Sequence, residues 1–368
     1  MKFAFQILNS KKNNILRNKP LPIKLTLALT FLCNSKCKTC GIWKIYKNNP
    51  DKYKEELNAD DWKKLFDEIG NNLAWIEFTG GEPLLKKDSI DIVSYTYNNT
   101  SIFAGGITTN AVSPKDSYKK INIILEKIPN NKMLNVGISL DGVPKLHDEI
   151  RGIKGNFEKA IYLFNELKEL KQQYKNLNVH FAYTISQYNV GKFEEFYNFV
   201  KKNCGISIDE ITITFEHFTD YYAREYGTLN NPYKQFKEGI ERDVTFYTDV
   251  LKKERKLKDL FNKIKSTFYN FYLKNIPNFI NEPKKMIIPC SAGRYSSYID
   301  PYGNVYPCTQ WNFKLGNLKE NSFKEIWWSK KAREVRKLIK NGKCPNCWTP
   351  CEAQPSWVMN FGILRGWW

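Results

Sequence analysis

The chain has 368 residues, 42% of them hydrophobic and 15% aromatic, with 57 Lys and Arg against 38 Asp and Glu for a formal charge of +19. A chain of this size and apolar content buries a substantial core, which excludes a disordered protein, and no run reaches the roughly eighteen apolar residues of a bilayer-spanning helix. The surplus of positive charge predicts attraction to an acidic electron donor, an anionic membrane surface or a phosphate-bearing substrate, unless it reflects only a Lys-rich surface.

Residues 23–31 alternate apolar and polar side chains, a strand pattern whose end delivers Cys33 into a loop. Asn58 and an acidic first turn then open a helix in which Trp62, Leu65, Phe66 and Ile69 recur at helical spacing. Strands follow at 73–78, 102–108, 134–140, 179–185 and 210–215, and helices at 87–97, 115–128, 157–174 and 190–202. Six strands alternating with helices predict a parallel sheet, in an α/β fold that forms a partial (β/α)6 barrel with its chemistry at the C-terminal strand ends. Residues 220–283 turn charged, aromatic and helical, with helices at 233–251 and 257–273 expected to cover the open side of the barrel or border the substrate. From about 287 the chain is rich in Cys, Gly, Pro and Trp, as a small metal-stapled domain would be. The expected division is 1–219 for the barrel, 220–286 for a helical connecting region and 287–368 for the last domain.

Eight of the nine cysteines fall at 33, 37 and 40 and at 290, 308, 344, 347 and 351, while Cys204 stands alone and reads as a small buried apolar residue. The close spacings are a metal-ligand pattern rather than a disulfide framework, which predicts a reducing cytoplasm. Met1 to Leu16 is interrupted by Gln6, Asn9, Lys11 and Lys12 and offers no small-residue cleavage site, so no secretory signal is expected. Peripheral contact with the inner face of a membrane is left open, and no nucleic acid partner is expected.

Cys33, Cys37 and Cys40 can wrap one soft metal centre and leave it one ligand short, whereas a structural zinc would need a fourth donor. After the second strand, Thr79-Gly80-Gly81-Glu82-Pro83 lets backbone approach a ligand closely and sets a carboxylate beside it. The third and fourth strands end in Thr108-Thr109-Asn110 and Ser139-Leu140-Asp141-Gly142. Such small polar groups suit hydrogen bonds to a ribose or carboxylate, and equally plain turn capping. Glu216 and His217 close the last strand, where they would face the cavity, and Glu216 reads either as a substrate contact or as a solvated surface carboxylate.

The spacing CxxxCxxC, followed one βα unit later by Gly80-Gly81-Glu82-Pro83, resembles the paired signature of the radical S-adenosylmethionine (radical SAM) enzymes. The resemblance implies a 4Fe-4S cluster on Cys33, Cys37 and Cys40 whose free iron chelates the amino and carboxylate groups of S-adenosylmethionine (SAM). Reduction would then yield a 5′-deoxyadenosyl radical able to take hydrogen from an unactivated C–H bond. It also implies that the Gly80–Pro83 segment holds the methionine amino group and that Asn110, Ser139 and Asp141 contact the cofactor. Arg151, in His147-Asp148-Glu149-Ile150-Arg151-Gly152, would pair with the SAM carboxylate, with His147 structural. Where many relatives carry an aromatic residue before the third cysteine, this chain has Thr39, and Trp43 or Tyr46 would stand in near the adenine.

Toward the C-terminus, Cys290 and Cys308 flank a hairpin pattern with Pro301-Tyr302-Gly303-Asn304 at its turn, which would bring them together. With Cys344, Cys347 and Cys351 as CxxCxxxC, the set resembles the auxiliary-cluster domains called SPASM and twitch. It implies one auxiliary 4Fe-4S cluster that binds substrate or relays electrons. Cys290, Cys308, Cys344 and Cys347 fit the twitch spacing, Cys351 can replace either of the last two, and a structural zinc is the other reading of these residues. Thr309 stands where some peptide-oxidising members place an aspartate.

The first substrate expectation is a lipid or lipid-linked envelope molecule. Six of the ten tryptophans lie between Trp327 and the end of the sequence, which closes Phe361-Gly362-Ile363-Leu364-Arg365-Gly366-Trp367-Trp368. The same aromatics can instead pack around the cluster domain. The alternative is a SPASM-type maturase that modifies a ribosomally made peptide or protein by a C–C or thioether crosslink or by oxidation. Either enzyme would take electrons from a flavodoxin or ferredoxin-type donor. A cluster carrier without catalysis would have no use for the Gly80–Pro83 segment.

Overall fold

The structure, a computed structural model, describes residues 19–47, 49–216, 234–254, 268–283 and 285–361. Six strands pair in parallel in chain order: β1 Lys24–Thr30, β2 Trp75–Gly80, β3 Ala104–Thr109, β4 Met133–Ser139, β5 Leu177–Ile185 and β6 Ile211–Phe215. Parallel neighbours need crossovers, supplied by α1 Ala59–Ile69, α2 Ser89–Asn99, α3 Pro114–Lys127, a short α4 Pro144–Arg151 followed by α5 Asn156–Gln173, and α6 Phe193–Cys204. Local chemistry starts them. Asn58 accepts from the Asp60 and Asp61 amides while Asp61 takes the Asn58 N–H, a reciprocal cap on α1, and Pro occupies the first turn of α3 and of α4.

Alternation along β5 separates the two faces of the sheet. Leu177, Val179, Phe181, Tyr183 and Ile185 lie buried under helices, with Phe181 stacked on Phe164 at 4.2 Å and Tyr183 against Phe193 and Phe196 at 5.0 and 4.8 Å. Asn178, His180, Ala182 and Thr184 face the lumen and stay half-buried. Closed barrels usually fill this space with branched apolar residues, but here it is polar. Asn178 donates to Asn135 Oδ1 at 3.1 Å, His180 and Thr108 lie over Gly137, and the Glu77 carboxylate occupies the space above Gly106 that any Cβ would take.

β1 is buried at all seven positions because it is not an edge. The C-terminal β7, Ser296–Ile299, pairs with it in parallel. β8 Asn304–Tyr306 and β9 Gly316–Asn317 extend the sheet antiparallel, in the order β6-β5-β4-β3-β2-β1-β7-β8-β9. The anticipated hairpin is present, but it continues the barrel's own sheet and covers an edge that would otherwise expose the backbone from Lys24 to Leu27 to other chains.

At the opposite edge, β6 is sealed by the helical region. Tyr247, on α7 Lys237–Glu254, donates to the Ile211 carbonyl at 2.8 Å, and the Tyr269 hydroxyl donates to the Ile213 carbonyl at 2.7 Å. Asp243 of α7 accepts from the Gly191 and Phe193 amides at 2.7 and 3.1 Å, capping the start of α6. A short α8, Ile276–Asn281, leads back toward β7. After β9 come α9 Phe323–Trp328, α10 Lys330–Lys340 and α11 Pro350–Phe361. His217, most of the expected 257–273 helix and the final Gly362–Trp368 fall outside the described residues. Among the described residues no helix is long and apolar enough to cross a membrane. Trp327, Trp348 and Trp357 are buried, with Trp348 donating to the Tyr272 carbonyl at 2.8 Å, so these aromatics serve packing. Cys204 is half-buried against the core.

Candidate active site and auxiliary pocket

The loop after β1 carries Cys33, Cys37 and Cys40 to the C-terminal mouth of the barrel and docks on the end of α4. Lys36 N–H donates to the Arg151 carbonyl at 3.1 Å, Lys38 N–H to Ile150 O at 2.8 Å, and Ser35 Oγ to Arg151 O at 2.9 Å. These contacts satisfy carbonyls that a helix end leaves open. Gly152, at φ +66°, allows the approach, since a Cβ there would sit 2.6 Å from the Lys36 carbonyl. Sequence reasoning flagged this segment without foreseeing α4, whose function is to hold the cysteine loop.

A cavity of about 260 Å³ lies beside the three thiols. Its walls include Thr79, Thr108, Ser139, Ala182 and Thr214, one residue from each of five strands, with Asn110, Arg151, Trp43 and Glu216 around the rim. The Gly80 and Gly81 backbone lines it too. Gly81 N–H donates to Thr30 O at 2.7 Å, and a Cβ on either glycine would collide with the Thr30 or Leu32 carbonyl, so the strand end and the cysteine loop close up only over bare backbone.

Asn110 reaches the thiols, its Nδ2 lying 3.7 Å from Cys33 Sγ and 2.9 Å from Asn34 Oδ1. Arg151 Nη1 is 3.8 Å from Cys37 Sγ, and Nη2 pairs with Asp141 at 2.6 Å. Burial works against its charge, but Asp141 and Cys37 hold the guanidinium's proton affinity above the ordinary value. Glu82, Pro83 and Asp141, expected as contacts, are placed behind the cavity wall. The Glu82 carboxylate turns inward to accept from the Asn110 amide at 2.7 Å and the Leu84 amide at 3.3 Å, and burial pushes it up to about 7. Pro83 starts a buried turn. Asp141 accepts from Thr184 N–H at 2.9 Å, and its own amide donates to His147 Nδ1 at 3.0 Å, with burial driving His147 down to about 3. His147 is therefore a neutral acceptor in the core.

Of the two aromatics considered for the adenine, Trp43 lines the cavity and fixes itself by donating to Cys37 O at 3.2 Å. Tyr46 points the other way. It donates to Glu56 Oε1 at 2.7 Å, and Tyr302 in the β7–β8 turn donates to Tyr46 at 3.0 Å. Glu56 also accepts from Thr30 Oγ1 and Phe31 N–H, both at 2.8 Å, and meets Lys86 at 3.3 Å. This hub joins the cysteine loop to the C-terminal hairpin. Sequence reading missed it because Glu56 sits in a charged surface-like run, Tyr53-Lys54-Glu55-Glu56.

Whether these residues fit an iron-sulfur cluster is a question of charge. Burial, with repulsion from neighbouring thiols, pushes Cys33 and Cys40 up to about 12, so three thiolates persist together there only against a cationic partner. A cluster supplies that partner, and the donor set fits it. The second pocket behaves alike. Cys290, Cys308, Cys344 and Cys347 line it, and burial raises all four thiols, Cys290 to about 12. Cys351 lies outside the ring, beside Lys24, whose ammonium donates to the Cys351 carbonyl at 2.9 Å. Among the described residues no three His, Cys, Asp or Glu side chains converge on one point as a single zinc ion would require.

Comparison with known families follows the same division. The radical SAM superfamily matches residues 27–200, and SPASM, an iron-sulfur cluster-binding domain, matches residues 290–348. The chain belongs to the radical SAM superfamily, SPASM type. This radical SAM enzyme uses SAM with a 4Fe-4S cluster, plus an auxiliary cluster. It is 26% identical over 333 residues to the sporulation killing factor maturation protein SkfB of Bacillus subtilis, covering 88% of this chain and 69% of that protein. It is 24% identical over 338 residues to the antilisterial bacteriocin subtilosin biosynthesis protein AlbA of the same organism, covering 89% of this chain and 66% of that one. The chain thus spans about two thirds of their length. Its fold is similar to that of Streptococcus suis SuiB bound to S-adenosylmethionine, at a TM-score of 0.61 and 17% identity, covering 90% of this chain and 72% of the other.

Proposed function

We propose that this radical SAM enzyme is a peptide maturase, oxidising or crosslinking a ribosomally made peptide. Two relatives are named for maturation or biosynthesis of a killing factor and a bacteriocin, and SuiB has also been solved with its precursor peptide SuiA. The observation that carries the reading is the polar lumen. The cavity beside the thiols is lined by Thr79, Thr108, Ser139, Thr184, Thr214 and Glu216, whose hydroxyl and carboxyl groups offer hydrogen bonds to a peptide and little apolar contact to an acyl chain. Three of the six C-terminal tryptophans, Trp327, Trp348 and Trp357, are buried and serve packing, which weakens the case for a lipid substrate.

In this reading, Cys33, Cys37 and Cys40 hold the catalytic cluster, and bound SAM supplies a radical that abstracts hydrogen from substrate. The Gly80 and Gly81 backbone, Asn110, Ser139 and Arg151 grip the cofactor. Glu82 acts through the Asn110 backbone and Asp141 through Arg151. Trp43 shields one side of the site. Glu216, which burial and Asp141 push up to about 8, stands at the rim as a neutral hydrogen-bonding group for substrate. The +19 charge favours encounter with an acidic flavodoxin or ferredoxin-type donor in a reducing cytoplasm.

The test is anaerobic incubation of reconstituted enzyme, SAM and reductant with small precursor peptides encoded beside its gene, and in parallel with total lipid extract. A peptide lighter by two hydrogens is expected. Turnover that alters a lipid and leaves every peptide unchanged would overturn the assignment.

A further inference from the structure

The cysteine loop leaves β1 at a bend whose backbone is held by one side chain from another segment. Phe31 N–H and Thr30 Oγ1 both donate to Glu56 Oε1 at 2.8 Å. With its proton committed in this way, the Thr30 hydroxyl accepts Leu32 N–H at 2.9 Å. Two successive amides that would otherwise extend the strand therefore end on Glu56, one directly and one through Thr30. The carbonyls of this short stretch face the other wall of the cavity. Thr30 O accepts Gly81 N–H and Leu32 O accepts Glu82 N–H, both at 2.7 Å, so residues 30–32 are clamped between Glu56 and the Gly80–Glu82 backbone just before Cys33.

Glu56 is itself placed from two further sides. Lys86, three residues past Pro83, meets its Oε2 at 3.3 Å and donates to Leu57 O at 2.7 Å, which ties the same carboxylate to the turn that follows the glycines. From the C-terminal hairpin, Pro301 O accepts Leu57 N–H at 2.7 Å, and Tyr302 donates to Tyr46, which donates in turn to Glu56 Oε1 at 2.7 Å. The Glu56 side chain is only 2% exposed. Burying a carboxylate is costly unless donors and a counter-charge surround it, and here three donors meet one oxygen and an ammonium the other. Donors arriving from separate segments fix one relative arrangement of those segments, which an apolar side chain of the same bulk would not do.

We propose that Glu56 is a positioning residue for SAM binding. It does not line the cavity, so it acts through Thr30 and Phe31, setting the bend that presents Cys33 and holding residues 30–32 against the Gly80–Glu82 backbone. Through it the C-terminal hairpin fixes the mouth of the barrel. The inference concerns the cofactor and is independent of the peptide reading.

Equilibrium dialysis of SAM against the full chain, anaerobically reconstituted and with binding normalised to iron content, reads the effect. The SAM concentration at which the EPR spectrum of the reduced protein changes gives a second reading, and neither requires turnover. Glu56→Ala weakens SAM binding by about tenfold or more, the loss expected of charge-assisted hydrogen bonds. Thr30→Val, of the same shape, keeps the Phe31 bond and weakens binding by about threefold. The double variant binds no more weakly than Glu56→Ala alone, because both act through one chain of bonds. Glu68 is the comparison. It accepts the Phe323 and Lys324 amides at 2.9 and 2.7 Å, tying the C-terminal part to α1 at the far end of the barrel, and Glu68→Gln leaves both readings as they are. Native SAM affinity in Glu56→Ala, strict additivity in the double variant, or an equal loss in Glu68→Gln overturns the proposal. Where circular dichroism shows Glu56→Ala unfolded, Thr30→Val decides, and native affinity there overturns it.

Discussion

Gly81 has no room for a side chain. A methyl there runs into the Leu32 carbonyl and lies within 2.9 Å of Phe31 O, and neither can retreat because both lead directly into the cysteine loop. Gly81→Ala therefore costs about 1–3 kcal/mol in urea unfolding and sharply weakens SAM binding measured by equilibrium dialysis. Unchanged values for both would mean that the glycine is incidental. At this scale the sequence was most informative where partners are neighbours. Three cysteines within eight residues and a Gly-Gly turn are local patterns, visible without a fold. Glu82 and Asp141 were visible as polar strand-end residues, but which way their carboxylates turn depends on the Asn110 and Thr184 amides arriving from other strands. Glu56 carried no local signal at all, since its partners Thr30, Tyr46 and Lys86 come from three separate segments.

The same contrast holds for whole elements. The six strands of the barrel could be placed as short apolar runs alternating with helical segments, whereas α4 is eight residues long and its purpose lies in the cysteine loop that it receives. The helix expected at 233–251 was legible as α7, while the task of sealing β6 was not, because it rests on two tyrosine hydroxyls meeting strand carbonyls. Tyr247→Phe leaves the buried Ile211 carbonyl without that donor and should cost about 1–2 kcal/mol by chemical denaturation, with little change in SAM cleavage. Asp243 makes the α6–α7 junction pH-dependent. Burial lifts its carboxyl to about 6 from 3.8, so the folded state holds that proton more tightly than the unfolded chain does. Its contribution is therefore fully present below pH 3.8 and is lost as pH rises through about 6, by about 3 kcal/mol in total. Asp243→Asn, which keeps an acceptor for Gly191 and Phe193, should flatten that part of the stability profile. An unaltered slope would locate the titration elsewhere.

At the scale of the whole molecule, the nine-stranded sheet makes the barrel and the C-terminal hairpin one structure, tied again by the Glu56, Tyr46 and Tyr302 hydroxyl chain. Removing everything after residue 286 uncovers β1 and should yield aggregated protein, visible by light scattering, where two independent domains would leave a soluble barrel. Composition and spacing marked the residues from about 287 as a stapled domain because cysteine and glycine density signals a change of chemistry, whereas the hydrogen bonds that join β7 to β1 carried no such signal. The mechanism remains anchored at the mouth of the barrel, where three thiols, bare glycine backbone and Arg151 meet around one cavity. The most direct measurement is release of 5′-deoxyadenosine from SAM by anaerobically reconstituted, reduced protein. The intact chain should release it and the Cys33→Ala/Cys37→Ala/Cys40→Ala chain should release none; equal release from both, or none from the intact chain with its iron in place, would contradict the account.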